Sequence, residues 1–227
     1  MNKIIEEFEF FSNRGLSYID ELKDIIKNLE KKIIPYEYPA EVQRKFDIEA
    51  FMHREKVISI QGFSLLTEQW VSLFATWIGN RKCLEVMSGC GSLAYALKNK
   101  GIDIIATDNN SWCKNIKSKI NWIATDNVWC DIEEIDCVEA IEKYGSEIDI
   151  IIISWAYMDS NSYKCLLKMR EKNPNAVMVY IGEGYGGCTG NDDFYDAIEV
   201  VEDQNIDAIN EVYPTWFGIY DRIWLVK

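Results

Sequence analysis

Leu84-Glu85-Val86-Met87-Ser88-Gly89-Cys90-Gly91 is the stretch on which the reading of this chain turns. Cys83–Met87 is a short apolar run, predicted to be a buried strand. Gly89 and Gly91 then permit backbone conformations and close approaches that a Cβ would hinder. Leu93, Ala96 and Leu97 continue at helical spacing, so the turn opens a helix whose first N–H groups point back at it.

Outward from this stretch, strands and helices alternate. Upstream, Leu65, Leu66, Trp70, Leu73, Phe74 and Trp77 mark an amphipathic helix that Gly79-Asn80 ends. Downstream, Ile102–Thr107 is the second strand, 110–120 a polar helical stretch, Asn127–Cys130 a weak third strand and Val138–Tyr144 a helix. Ile148–Ser154 is the clearest buried strand; 161–172 is helical and Ala176–Ile181 is strand again. After a helix near 193–203 come two strand-like segments, 208–213 and 221–226, joined by a loop with Pro214 and Gly218. So short a loop cannot make a parallel crossover, which predicts an antiparallel end. The alternation predicts an α/β fold, a doubly wound and mostly parallel seven-stranded sheet covered on both faces, with an antiparallel C-terminal strand. Residues 1–60 read as a helical N-terminal extension or lid, from Ile4, Ile5, Phe8 and Phe11, then Ile19, Leu22, Ile26 and Leu29, with a break at Asn13–Gly15 and a loop framed by Pro35 and Pro39. Residues 61–227 form the second unit.

Composition narrows the functions. With 227 residues, 48% hydrophobic and 27% charged, the chain has enough apolar material for a packed core. No apolar run approaches the roughly 20 residues of a membrane span. The start lacks a signal-peptide layout, so a cytoplasmic protein is expected. Seven cysteines without a CxxC pair favour free thiols, and the single histidine, His53, argues against a His-based metal site or a Ser-His-Asp triad; no metal is expected. A formal charge of −13 makes nucleic acid an improbable partner and favours a small, neutral or cationic substrate.

A crevice beyond the carboxyl ends of a doubly wound sheet is where ligands bind. Asp108 closes the second strand there, placed to accept both ribose hydroxyls of an adenosine. The segment Ile105–Asn109 recurs as Ile123–Asn127, so Asp126 is a second candidate for that role. On these residues the chain resembles the class I S-adenosylmethionine-dependent methyltransferases. Glu85, Gly89 and Gly91 match their motif I, with Met87 where its first glycine is expected, and Asp108 matches the acid of motif II. The resemblance implies S-adenosylmethionine as cofactor, bound by Glu85, Met87, Gly89, Gly91, Asp108 and Asn109, with Asp136 and Cys137 at the adenine and Gln61 near the methionine end. It also implies that Ser154 and Tyr157 stand where an amino-group methyltransferase places its acceptor-binding polar and aromatic residues; Trp155 and Ala156 replace that motif's two prolines.

On the acceptor side the catalytic candidates are Ser154, Tyr157 and Glu183, with Ser154 also touching cofactor. Glu183 opens a loop with five glycines among residues 181–190 and Tyr185 beside it, where it would bind a cationic acceptor or take a proton. Trp112, Trp129 and Trp155 offer aromatic surface for a cation, and Asp221-Arg222 reads as a structural ion pair. The expected reaction is methyl transfer to a small-molecule or amino-group acceptor, nitrogen before oxygen. Two alternatives stand beside it. Gly89, Gly91 and Ala94 also fit the dinucleotide fingerprint of an NAD(P)-dependent oxidoreductase, and Met87 is compatible with a non-catalytic S-adenosylmethionine-binding protein.

Overall fold

A computed structural model of the protein describes residues 18–111 and 127–227. Its elements are α1 (18–29), α2 (Glu41–Arg44), α3 (Ile48–Gln61), α4 (Glu68–Ile78), β1 (Cys83–Val86), α5 (Ser92–Lys98) and β2 (Ile104–Asp108). They continue as β3 (Glu133–Glu134), α6 (Cys137–Tyr144), β4 (Ile150–Ser154), α7 (Asn161–Lys172), β5 (Val177–Gly182), α8 (Asp192–Ala197), α9 (Gln204–Val212) and β6 (Arg222–Val226). Ile4, Ile5, Phe8, Phe11, Asn13–Gly15, Trp112 and Asp126 lie outside the described residues.

The sheet runs in the order β3-β2-β1-β4-β5-β6. All neighbours are parallel except β5 and β6. Side chains alternate between its faces. Ile150 and Ile152 of β4 pack with α4, α5 and α9, while Ile151 and Ile153 pack with α6, α7 and α8. The four consecutive isoleucines of β4 are therefore covered on both sides, at roughly 1.5–3 kcal/mol for each fully buried isoleucine.

Three expectations are corrected. The described sheet has six strands, not seven. Residues 208–212 belong to α9 rather than a strand, with Tyr213 at its C-cap: Asp203 caps the start through the Asn205 and Ile206 amides, and Ile206, Ile209 and Tyr213 are buried at helical spacing. The third strand is Glu133–Glu134, not Asn127–Cys130; Trp129 instead hydrogen-bonds its amide to the Cys90 carbonyl and buries its ring.

The outer edge of β6 is closed by pieces that are not strands. Val200 forms an isolated antiparallel bridge with Val226. Glu199 and Lys227 exchange amide–carbonyl bonds, and the Val201 amide donates to Leu225. Nearer the start of β6, the Asn210 side-chain amide donates to the Ile223 carbonyl at 2.9 Å and accepts from its N–H at 2.8 Å.

Before the sheet, α1 and α3 build a third apolar cluster. Leu22, Leu29, Val57 and Ile60 meet Cys90, Trp129 and Trp216. The Ile60 carbonyl accepts from the Trp129 indole at 2.8 Å and from Asn127 Nδ2 at 2.6 Å. This seats the end of α3, and Gln61–Ser64 after it, against the loops at the carboxyl ends of β1 and β2. Among the described residues no helix is long and apolar enough to cross a membrane.

Candidate active site

Parallel strand order reverses between β1 and β4, where crossovers leave in opposite directions and a crevice opens. A cavity of about 470 Å³ occupies that place, within the range of small-molecule sites. One wall is the β1–α5 loop. The Ser88 amide donates to the Thr107 carbonyl at 3.0 Å and the Gly91 amide to the Ser88 carbonyl at 2.9 Å, which folds the turn. Met87, Gly89 and Gly91 all have left-handed φ values, 55°, 56° and 73°. Such a φ is strained for Met87, a cost of about 1–3 kcal/mol.

Two carboxyls shape this wall. Asp108 is buried; Oδ2 accepts the Gly89 amide at 2.8 Å and Oδ1 the Asn110 amide at 2.7 Å. Glu85 is 1% exposed, and its Oε2 accepts the Ala94 amide in the first turn of α5 at 3.1 Å. Burial pushes the Glu85 carboxyl up to about 8, against the pull of the Ala94 hydrogen bond and with a push from the Asp108 charge. Two buried polar atoms in the cavity-lining residues have no hydrogen-bond partner among the described residues: Ser88 Oγ and Gln61 Oε1. Gln61 Nε2 is already donated to the Ser64 carbonyl at 3.0 Å and to Tyr38 Oη at 3.3 Å. Buried polar atoms are ordinarily satisfied, which sets these two apart in the lining.

The opposite wall starts at the end of β4. Trp155 takes a left-handed φ of 53°, and its indole stacks on Phe63 at 5.1 Å between ring centroids. Ser154 Oγ and Ser64 Oγ are 2.6 Å apart. Tyr157 and Asp159 complete the rim. Partial burial, helped by the charges of Asp108 and Asp159, raises the Tyr157 phenol above its usual value.

Of the residues singled out from sequence, Gln61, Glu85, Met87, Gly89, Asp108, Asn109, Cys137, Ser154 and Tyr157 line this one cavity. Three stand elsewhere. A Cβ on Gly91 would come within 2.9 Å of Cys130 Sγ and 3.0 Å of Ile132 Cδ1, so its hydrogen admits the 130–132 segment rather than a ligand. Asp136 caps α6 by accepting the Val138 amide at 2.9 Å. Glu183 is buried outside the lining; its oxygens accept the Cys188 amide at 2.8 Å and the Tyr220 amide at 3.0 Å. The glycines after it fold back on it, since a Cβ at Gly187 would lie 2.4 Å from Glu183 Cβ. Tyr185 is exposed. His53 sits on α3 with Nδ1 2.7 Å from the Glu49 carbonyl.

Sequence reading missed Ser88, Ser64, Phe63, Asp159 and Asn161, all in the lining. Ser88 lies inside the quoted motif, and its place between Met87 and Gly89 was the available signal. Asp221 was also misread. Arg222 reaches Asp207 at 3.8 Å and stacks on Trp224, whereas Asp221 is buried and accepts from Tyr213 Oη at 2.8 Å and the Trp155 indole at 2.9 Å.

No family model and no curated protein sequence matches the chain. Solved structures resemble it distantly. The mitomycin 7-O-methyltransferase MmcR is 13% identical with a TM-score of 0.44, over 80% of this chain and 58% of that one. A SAM-dependent methyltransferase from Archaeoglobus fulgidus is 14% identical with a TM-score of 0.40, over 78% of this chain and 98% of that one. A protein in the NADB-Rossmann superfamily from Streptococcus agalactiae is 16% identical with a TM-score of 0.41, over 72% and 69%. The chain thus spans little more than half of MmcR. In the molecule itself, the parallel switch between β1 and β4 and the antiparallel β6 beside β5 give an α/β Rossmann-like fold with one antiparallel C-terminal strand.

Proposed function

We propose that this protein is an S-adenosylmethionine-dependent methyltransferase acting on a small-molecule or amino-group acceptor. One observation carries the reading: a cavity at the strand switch whose lining joins Glu85, Asp108 and the two unpartnered polar atoms, Ser88 Oγ and Gln61 Oε1. That set fits the cofactor. Asp108 at the end of β2 suits a ribose, Asn109 and Cys137 flank the space for an adenine, and Gln61, Glu85 and Ser88 offer polar atoms to the amino-acid tail.

The bound cofactor supplies an electrophilic methyl on a positive sulfur. The chain's residues position and desolvate. Phe63, Trp155 and Ala156 give the acceptor side an apolar wall, and Ser154 and Tyr157 stand where an acceptor nitrogen or oxygen would be aligned. Residues up to 60 serve as a lid in this proposal, supported by the bonds that tie the end of α3 to Asn127 and Trp129.

Titration calorimetry with S-adenosylhomocysteine and with NADH tests the assignment. Micromolar binding of the first and none of the second is expected. Binding of NADH alone ends the methyltransferase reading in favour of the oxidoreductase. Labelled methyl incorporation from S-adenosylmethionine into metabolites and proteins then identifies the acceptor; cofactor binding without any incorporation would mark a non-catalytic binding protein.

A further inference from the structure

Flat aromatic surface and negative charge meet at the acceptor end of the cavity. Phe63, Trp155 and Tyr157 line that end, with Asp159 at the rim. The Phe63 and Trp155 rings lie 5.1 Å apart between centroids and 18° from parallel, which makes a flat wall. The Trp155 indole N–H is given to Asp221 Oδ2 at 2.9 Å, so Trp155 offers the cavity its ring and not its donor. Burial raises the Tyr157 phenol, and the charges of Asp108 and Asp159 raise it further. A field that disfavours a phenolate at this place favours a cation there. Among the described residues the lining holds no lysine, arginine or histidine.

We propose that the methyl acceptor is an uncharged, flat heteroaromatic base, methylated on a pyridine-type ring nitrogen and released as a cation. The inference rests on the methyltransferase reading and deepens it by naming the chemical class of the acceptor. The two reactants alone close the balance. The nitrogen lone pair forms the new N–C bond, and the C–S bond breaks with its electron pair left on sulfur. The positive charge moves from sulfur to nitrogen, and no proton leaves.

The polar groups around this end suit a transfer without a base. Ser154 Oγ lies 2.6 Å from Ser64 Oγ. Asp159 holds the Asn161 main-chain amide at 2.9 Å and its side-chain amide at 3.0 Å. Glu183 stands outside the lining, on the Cys188 and Tyr220 amides. An O–H acceptor would call on one of these groups to take a proton, whereas a ring nitrogen with a free lone pair calls on none. What the ring nitrogen needs is a place for the charge that it gains, and aromatic faces beside carboxylates provide it. A carboxylate or phosphate on the acceptor would be repelled by Asp108 and Asp159.

Three flat probes of similar shape test the class, each added at neutral pH to the protein saturated with S-adenosylhomocysteine. That complex mimics the one left after transfer. N-Methylquinolinium is the cation, 4-methylquinoline the neutral ring and quinoline-4-carboxylate the anion. Calorimetry should find the cation bound about tenfold more tightly than the neutral ring, and the carboxylate bound most weakly. Trp155→Leu should abolish the preference for the cation. Should that variant misfold, Tyr157→Leu and Asp159→Asn, both at exposed positions, supply the answer by each reducing the preference about threefold. A cation bound no better than the neutral ring overturns the inference, as does tighter binding of the carboxylate. So does a cation that fails to bind at about millimolar concentration, or a preference unmoved by the substitutions. Each of these leaves the methyltransferase reading standing. Failure of S-adenosylhomocysteine itself to bind sinks that reading and the inference with it.

Discussion

Glu85 and Asp221 are both buried acids, one in the lining of the cavity and the other behind its Trp155, and they differ in what holds them. Glu85 accepts from a main-chain amide, that of Ala94. A peptide N–H cannot hand its proton on, so this carboxyl orders the first turn of α5 and presents itself to the cavity. Asp221 accepts from a phenol and an indole. A phenol can hold a charge and also give up its own proton. The comparison teaches that two acids of similar burial can be held by donors of different chemistry, a main-chain amide in one case and side chains in the other.

The largest effect expected from this contrast is in stability against pH. A carboxyl whose folded value is raised favours the fold while protonated and loses that contribution as pH climbs from its unfolded value to its folded one. For Glu85 the window runs from 4.5 to about 8, with a loss on the order of 5 kcal/mol. For Asp221 it runs from 3.8 to about 6, with a loss on the order of 3 kcal/mol. Denaturant melts of Glu85→Gln should therefore gain on the unsubstituted protein throughout pH 5–8, and those of Asp221→Asn only below about 6. Parallel curves would dissolve the distinction.

Next in size is Asp108→Ala. It removes a charged acceptor from two loop amides and from the expected ribose, so S-adenosylhomocysteine affinity should fall about 30- to 1000-fold, or about 2–4 kcal/mol. Unchanged affinity in calorimetry would detach the ribose from β2. Gly91→Ala should follow. Its left-handed φ and the 2.9 Å approach to Cys130 Sγ together cost about 2 kcal/mol, seen as a melting temperature lower by about 5 °C. A melting point within a degree of the parent would show that the 130–132 segment gives way freely.

The smallest and most discriminating change is Glu183→Gln. It keeps the shape but weakens the acceptor for the Cys188 and Tyr220 amides, for about 1 kcal/mol of stability. S-adenosylhomocysteine affinity should stay within about twofold, since Glu183 lies outside the cavity lining. A tenfold loss would return Glu183 to the ligand side.

Much of the molecule was legible before any coordinates. β1, β2, β4 and β5 announce themselves because apolar runs bounded by Gly and Asn have little other use. β3 does not: Glu133 and Glu134 carry no strand signal, and they pair only because β2 offers Thr107 and Asp108 as an edge. α9 was hidden because Ile209, Val212 and Tyr213 are residues that favour strands, and the Asp203 cap decides for a helix. At the site, Glu85 and Asp108 follow from their position on strands. The unpartnered Gln61 and Ser88 atoms, and the Tyr213–Asp221 contact, depend on burial and on residues far apart in the chain, which spacing does not encode. Gly91 shows the converse, since a glycine in a ligand motif was read as room for the ligand and proves to be room for the protein.

The closed border of β6 has a consequence for self-association. Leu225 and Lys227 are engaged by Glu199–Val201, and Ile223 is engaged by a side chain, the amide of Asn210, which imitates a neighbouring peptide on both its donor and its acceptor side. An unoccupied border of this kind is a template for strand addition and fibrous growth. A single asparagine on a helix thus stands as a sentry against the addition of a foreign strand, and a leucine in its place would leave the helix intact while opening the sheet to other chains.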